Sequence, residues 1–196
     1  RGIAMRQDPG HFPQILDALI QASELRNTAM LADVLKAFSG SAVPQLLTLS
    51  LSQARPESRL AAMRALTAIR SPDAGPTLIA LAQHGAPDIR IQAFEALARL
   101  GGNPALDVVL AGLDDSVPEV RAAAAQAAGA LRLQPAIHRL MELLEDSSWP
   151  VRWRAAAGLH QIGVPGIDVL KGAAGMTGPG GLIARQVLAE KAEAAA

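Results

Sequence analysis

Four arginines, Arg59, Arg90, Arg121 and Arg152, recur along the chain with a fixed period of about 31 residues, the kind of spacing that stacked repeats show. A guanidinium is a planar, permanently charged fork of donors, suited to two-pronged contacts with carboxylate or phosphate. Such a row could be an anion-binding stripe or a structural ladder. In three of the four cases an acid lies two residues earlier, at Glu57, Asp88 and Glu119. A residue that recurs in every unit is better explained by a contact every unit must make than by one ligand. The ladder is therefore read as structural. Each guanidinium is expected to span to main-chain carbonyls of the neighbouring unit, or to Asp115 and Asp146 at the preceding helix ends.

The remaining chemistry-bearing residues assemble no catalytic centre. The histidines are His11, His84, His138 and His160, with no His-Glu pair and no His-x-x-x-His spacing. No Gly-x-Ser-x-Gly, P-loop or Gly-x-Gly-x-x-Gly is present, and Gly178-Pro179-Gly180-Gly181 reads as a turn. The chain has no cysteine, which excludes disulfides and thiolate metal sites. No catalytic residue, metal ligand or cofactor site is therefore assigned. Trp149 and Trp153 share a helix face at i, i+4 spacing. Trp153 aligns with Leu60, Ile91 and Ala122, so it is expected to pack between units. Trp149 is the aromatic candidate for a partner contact.

The elements that position these residues are helices. Of 196 residues, 50% are hydrophobic but only 3% aromatic, so the core must be built from Ala, Leu, Ile and Val. Ala and Leu are strong helix formers. Eighteen basic and eighteen acidic residues cancel, which argues against a nucleic-acid binder, since that needs a basic footprint. No apolar run approaches a membrane span and no signal peptide is visible. The expected location is the cytoplasm, either alone or as the soluble part of a larger membrane-anchored protein.

The whole chain carries the period of the arginines. Pro13 and Pro44 already obey it, although the units at 1–53 are degenerate. Clear units follow at 54–84, 85–115, 116–146 and 147–177. Each has a first helix opening near its proline, where the missing N–H costs nothing, then a tight turn and a second helix. Ser116 and Glu119 fit a capping box. The second helix of the last unit shrinks to Ile167–Ala173. It runs into a Gly-rich loop at 175–181, a candidate hinge, before a polar capping helix at 182–195. Helices this short are marginal alone and bury their apolar faces only against neighbours, so residues 1–196 are expected to form one domain.

A helical pair opened by Pro-acid-x-Arg, with Ala three residues after the Arg, resembles the short HEAT-like repeat of bacteria. The residues that carry the likeness are Pro56-Glu57-Ser58-Arg59, Pro87-Asp88-Ile89-Arg90, Pro118-Glu119-Val120-Arg121 and, with the proline displaced, Trp149-Pro150-Val151-Arg152. The resemblance implies an all-α fold: a right-handed α-solenoid of about eleven or twelve helices, estimated from the repeat length. It also implies a non-catalytic scaffold that binds a protein segment on a concave face lined by second helices. On that face the outward residues are Asp107, Asp114, His138, Glu142 and Glu145, mildly acidic and suited to a basic segment. The first helices put Arg64, Arg70, Arg99, Arg132 and Arg154 on the convex side. The alternative is an enzyme or enzyme subunit of the HEAT-like bilin-lyase type, with a ligand pocket. HEAT-like deoxyhypusine hydroxylases hold iron with His-Glu pairs, which this sequence lacks. HEAT-like DNA glycosylases need basic, aromatic-lined second helices, and these are neutral to acidic. The closing stretch, from Trp149, also looks like the end of HEAT-like proteins of bacterial envelope or polysaccharide systems.

Overall fold

The computed structural model describes residues 74–101 and 106–194. The chain divides into two compact units, Arg1–Ala74 and Gly75–Ala196, and the elements named here are those of the second. Arg59, Arg64, Arg70 and the degenerate units at 1–53 lie outside the described residues. Every regular element described is helical. In order these are α1 (Gly75–His84), α2 (Pro87–Leu100), α3 (Leu106–Gly112), α4 (Pro118–Ala130), α5 (Ile137–Glu142), α6 (Trp149–Ile162), α7 (Val164–Ala174) and α8 (Pro179–Glu193). Short 3-10 turns at Gln134–Ala136 and Leu143–Glu145 extend α5 at both ends. Among the described residues, no helix is long and apolar enough to cross a membrane.

The even-numbered helices are the first helices of their repeats, and they stack directly: α2 on α4, α4 on α6, α6 on α8. Each second helix packs beside them, α3 against α4 and α7 between α6 and α8. This is the arrangement of an α-solenoid, in which each unit buries its apolar face only against its neighbours.

The stack is close because its shared positions are small. The registered alanines Ala93, Ala124 and Ala155 are completely buried. Where α4 crosses α6, glycine faces glycine: a Cβ on Gly129 would lie 2.6 Å from the Gly158 Cα. Volume is also compensated between repeats. Phe94, buried to 1% exposure, lies against Gly112 and leaves no room there for a side chain. Its counterparts one and two periods on are Ala125 and Ala156, both fully buried.

Proline occupies the first or second position of α2, α4 and α6, as the period predicts, and also of α7 and α8, where turns were expected. Three expectations are corrected. The Ser116–Glu119 capping box does not form. Val117 is the N-cap of α4 and makes no side-chain cap, which puts Ser116 one residue too early; Asp115 accepts the Val117 N–H instead, at 2.9 Å. The last second helix does not shrink: α7 spans 11 residues, because Pro165 falls in its first turn, where a proline is tolerated. The capping helix begins at Pro179, so Gly180 and Gly181 are buried helical residues and not part of a hinge. The open turn is confined to 175–178, where Gly178 takes φ +113°. A side chain on Gly181 would collide with the main chain at Met176, so this glycine lets α8 settle closely on the end of α7, while Gly180 makes room for Leu144 and Glu145.

Candidate functional site

The arginine ladder is a continuous chain of contacts. Arg90 donates from Nε and Nη2 to both oxygens of Asp115, each at 2.8 Å, while Nη1 donates to the Gly85 carbonyl at 2.9 Å. Arg121 repeats the pattern one unit on. Its Nε and Nη2 reach Asp146 at 2.8 and 3.0 Å, and its Nη1 reaches the Asp115 carbonyl at 2.8 Å. Each aspartate also accepts the N–H two residues ahead, from Val117 or Ser148. The expected acids, Asp115 and Asp146, are thus the partners, but the carboxylate each arginine holds follows it in the chain, beyond the second helix of the same repeat. The preceding helix end supplies only a carbonyl.

Burial of the Asp115 carboxyl opposes its ionisation. The Arg90 hydrogen bond, the Val117 N–H and the charges of Arg90 and Arg121 outweigh that, and hold its pKa below the ordinary aspartate value. For Asp146, burial is likewise outweighed by the Arg121 hydrogen bond, the Ser148 N–H and the charges of Arg121 and Arg152. These are the contacts of a staple at the junction between repeats.

On the second helices and the turns that end them, Asp107, Asp114, His138, Glu142 and Glu145 are all at least partly exposed. Three of them are brought together around a residue that periodicity reasoning missed. Arg139 donates from Nη2 to Asp114 and from Nη1 to Glu142, each at 2.6 Å. His138 Nδ1 lies 3.5 Å from the other Glu142 oxygen. The Arg139 hydrogen bond is the chief reason that the Glu142 carboxyl is held below its usual range. The same bond, with the charges of Asp114 and Glu142, holds the Arg139 guanidinium more firmly protonated. Arg139 aligns with Val108, a buried core residue. The signal was an arginine at an apolar register position, and its Nε is buried with no hydrogen-bond partner. Glu145 stands apart: its Oε1 accepts the Gly180 N–H at 3.0 Å, capping α8. Asp107 belongs to neither group.

Trp149 is 52% exposed, and its ring stacks on Trp153 with centroids 5.7 Å apart. Trp153 is half-buried beneath that partner. Arg99, Arg132 and Arg154 are exposed. Arg132 takes φ +52° at the position where the flanking repeats place Gly101 and Gly163, both also at positive φ. It borders an open cleft of about 430 Å³, lined also by Gly129, His160, Gln161 and Gly163. Among the described residues, no three acids or histidines come together so as to hold a metal.

The sequence profile of HEAT repeats matches residues 43–129 and again 106–189. The chain belongs to the HEAT-repeat family. No curated protein matches it, but solved structures do. One is an engineered protein, 20% identical, with TM-score 0.59 over 94% of this chain and 91% of the other. Another is a designed armadillo repeat protein, 19% identical, with TM-score 0.59 over 92% of this chain and 93% of the other. Human deoxyhypusine hydroxylase aligns at 16% identity and TM-score 0.42, over 88% and 83% of the two chains. At such identities the first two show a shared repeat fold, and the third carries no argument. The ladder and the small-residue stack both lie where successive HEAT repeats meet.

Proposed function

We propose that this HEAT-repeat chain is a non-catalytic protein-interaction scaffold, and that a partner segment lies along the face of its second helices, the concave face in solenoids of this family. The observation that carries the reading is a contrast within each repeat. The buried positions recur because every unit must stack alike. The exposed second-helix positions do not recur: Pro76, Asp107 and His138 occupy one aligned site, and Ala80, Ala111 and Glu142 another. Stacking does not demand that variety, and an extended surface of this kind is what solenoids use for binding. The carboxylates of Asp107, Asp114 and Glu142, set against the single guanidinium of Arg139, leave the face net negative. A segment carrying Lys or Arg fits it, with association that weakens as salt rises. Glu145 contributes charge here while it caps α8.

Photo-crosslinking residues placed separately at His138 and at Arg154, followed by affinity capture with the intact chain, would test this. Crosslinks from position 138, lost on Asp107→Lys, Asp114→Lys and Glu142→Lys together, are expected. Crosslinks from position 154 alone would move the working surface to the first helices.

A further inference from the structure

We propose that Arg152 and the Trp149–Trp153 pair form a receptor for an aspartate or glutamate side chain of a partner protein. The ladder itself supplies the precedent. In Arg90 and Arg121 the Nη1 atom anchors the guanidinium to a carbonyl of the preceding loop, and the Nε–Nη2 edge grips a carboxylate. Arg152 keeps the anchor: its Nη1 donates to the Asp146 carbonyl at 2.7 Å and to the Ser147 carbonyl at 3.0 Å. Its other edge has no carboxylate among the described residues. The register position held by Asp115 for Arg90, and by Asp146 for Arg121, is filled by Thr177 for Arg152. The chain holds no acid at all between Asp168 and Glu190. The Nε and Nη2 atoms are not sealed in, since the one buried, unpartnered polar side-chain atom among the described residues belongs to Arg139. This last rung is therefore a preorganised carboxylate fork whose free edge is not fully buried.

The neighbourhood fits a protein segment better than a free ion. Trp149 lies three residues before Arg152 and Trp153 one after it. The i, i+3 pair are neighbours on the helix surface, so the exposed Trp149 ring, stacked on Trp153, lies on the same stretch of helix surface as Arg152. An acidic residue on Arg152, with an apolar neighbour on Trp149, would use both features, and two-pronged arginine contacts combined with aromatic anchors are what dominate binding hot spots. This site is independent of the second-helix reading and can stand or fall without it.

The experiment uses the intact chain and two short capped peptides, each with one Leu beside either Asp or Asn. The readouts are the Arg152 Nε–H resonance and the fluorescence of the chain's two tryptophans. The Asp peptide is expected to shift both saturably, the Asn peptide at least tenfold more weakly. Thr177→Asp should fill the fork from within and suppress binding, and Arg152→Lys, which keeps the charge but loses the fork, should weaken it at least tenfold. Acetate alone shifting the resonance as strongly as the Asp peptide would show a simple anion site and overturn the protein-segment assignment. Equal binding of both peptides, or full binding by Arg152→Lys, would overturn the fork itself.

Discussion

Arg121 holds Asp146 by two hydrogen bonds, at 2.8 and 3.0 Å, at the boundary between one repeat and the next. The two side chains are only 14% and 8% exposed. The same arginine anchors the loop before its own helix through the Asp115 carbonyl, so one residue ties three stretches of chain. A contact that is partly buried, charged and doubly bonded differs from a surface ion pair, which contributes little.

Removing one partner should therefore show. Arg121→Ala leaves Asp146 partly buried without its main donor, and a loss of about 1–3 kcal/mol is expected. Arg152→Ala removes carbonyl contacts but no carboxylate grip, and should cost less. Urea unfolding of the two variants checks the order; equal losses would mean that the carboxylate contributes nothing.

Stability should also depend on acid pH in a defined sense. The folded-state pKa values of Asp115 and Asp146 lie below the ordinary 3.8. Their contribution is then complete above that ordinary value and disappears as pH falls through the folded values. Unfolding midpoints should drop more steeply below about pH 4 in the parent than in the Asp115→Asn, Asp146→Asn double variant, which is less stable at neutral pH but flatter in acid.

Arg132 should be improvable. A non-glycine residue in the left-handed region carries a penalty of roughly 1–2 kcal/mol, and Gly101 and Gly163 show what the other repeats use there. Glycine loses more chain entropy on folding, so Arg132→Gly is expected to gain less than about 1 kcal/mol. Thermal melts would read this as a small rise; a fall would show that the exposed arginine makes a contact worth more than its backbone costs.

The glycine crossing should resist enlargement. Gly129→Val places atoms where the Gly158 main chain already lies, and the α4–α6 contact must open. A cost of about 1–3 kcal/mol is expected for such overpacking. Gly172→Val, at a position with open space around it, is the control: beyond the change in helix propensity it should cost well under about 1 kcal/mol.

Glu145→Ala should free the first turn of α8. The Gly180 N–H loses its acceptor, and helix-terminal N–H groups have no partner within the helix. Hydrogen exchange at Gly180 and its neighbours should quicken by about tenfold or more, on the scale of one lost hydrogen bond, while α4 and α6 keep their protection. Unchanged exchange at Gly180 would remove Glu145 from the cap.

By itself, the repeat period determined that the chain is a helical repeat, where its described first helices begin and which alanines are buried. A period is a property of local spacing, and each unit must meet its neighbours in the same way, so registered residues announce themselves. It also named Asp115 and Asp146 as the ladder's acids. What it could not determine was the direction of the pairing. An acid just before the arginine and one beyond the following second helix are equally regular in a repeating sequence. Arg139 between Asp114 and Glu142, Glu145 under α8, the stacking of Trp149 on Trp153 and the unfilled edge of Arg152 each arise where one repeat departs from the rest. At those places no register predicts the neighbour, and only the packing of side chains across helices decides which groups come within hydrogen-bonding reach.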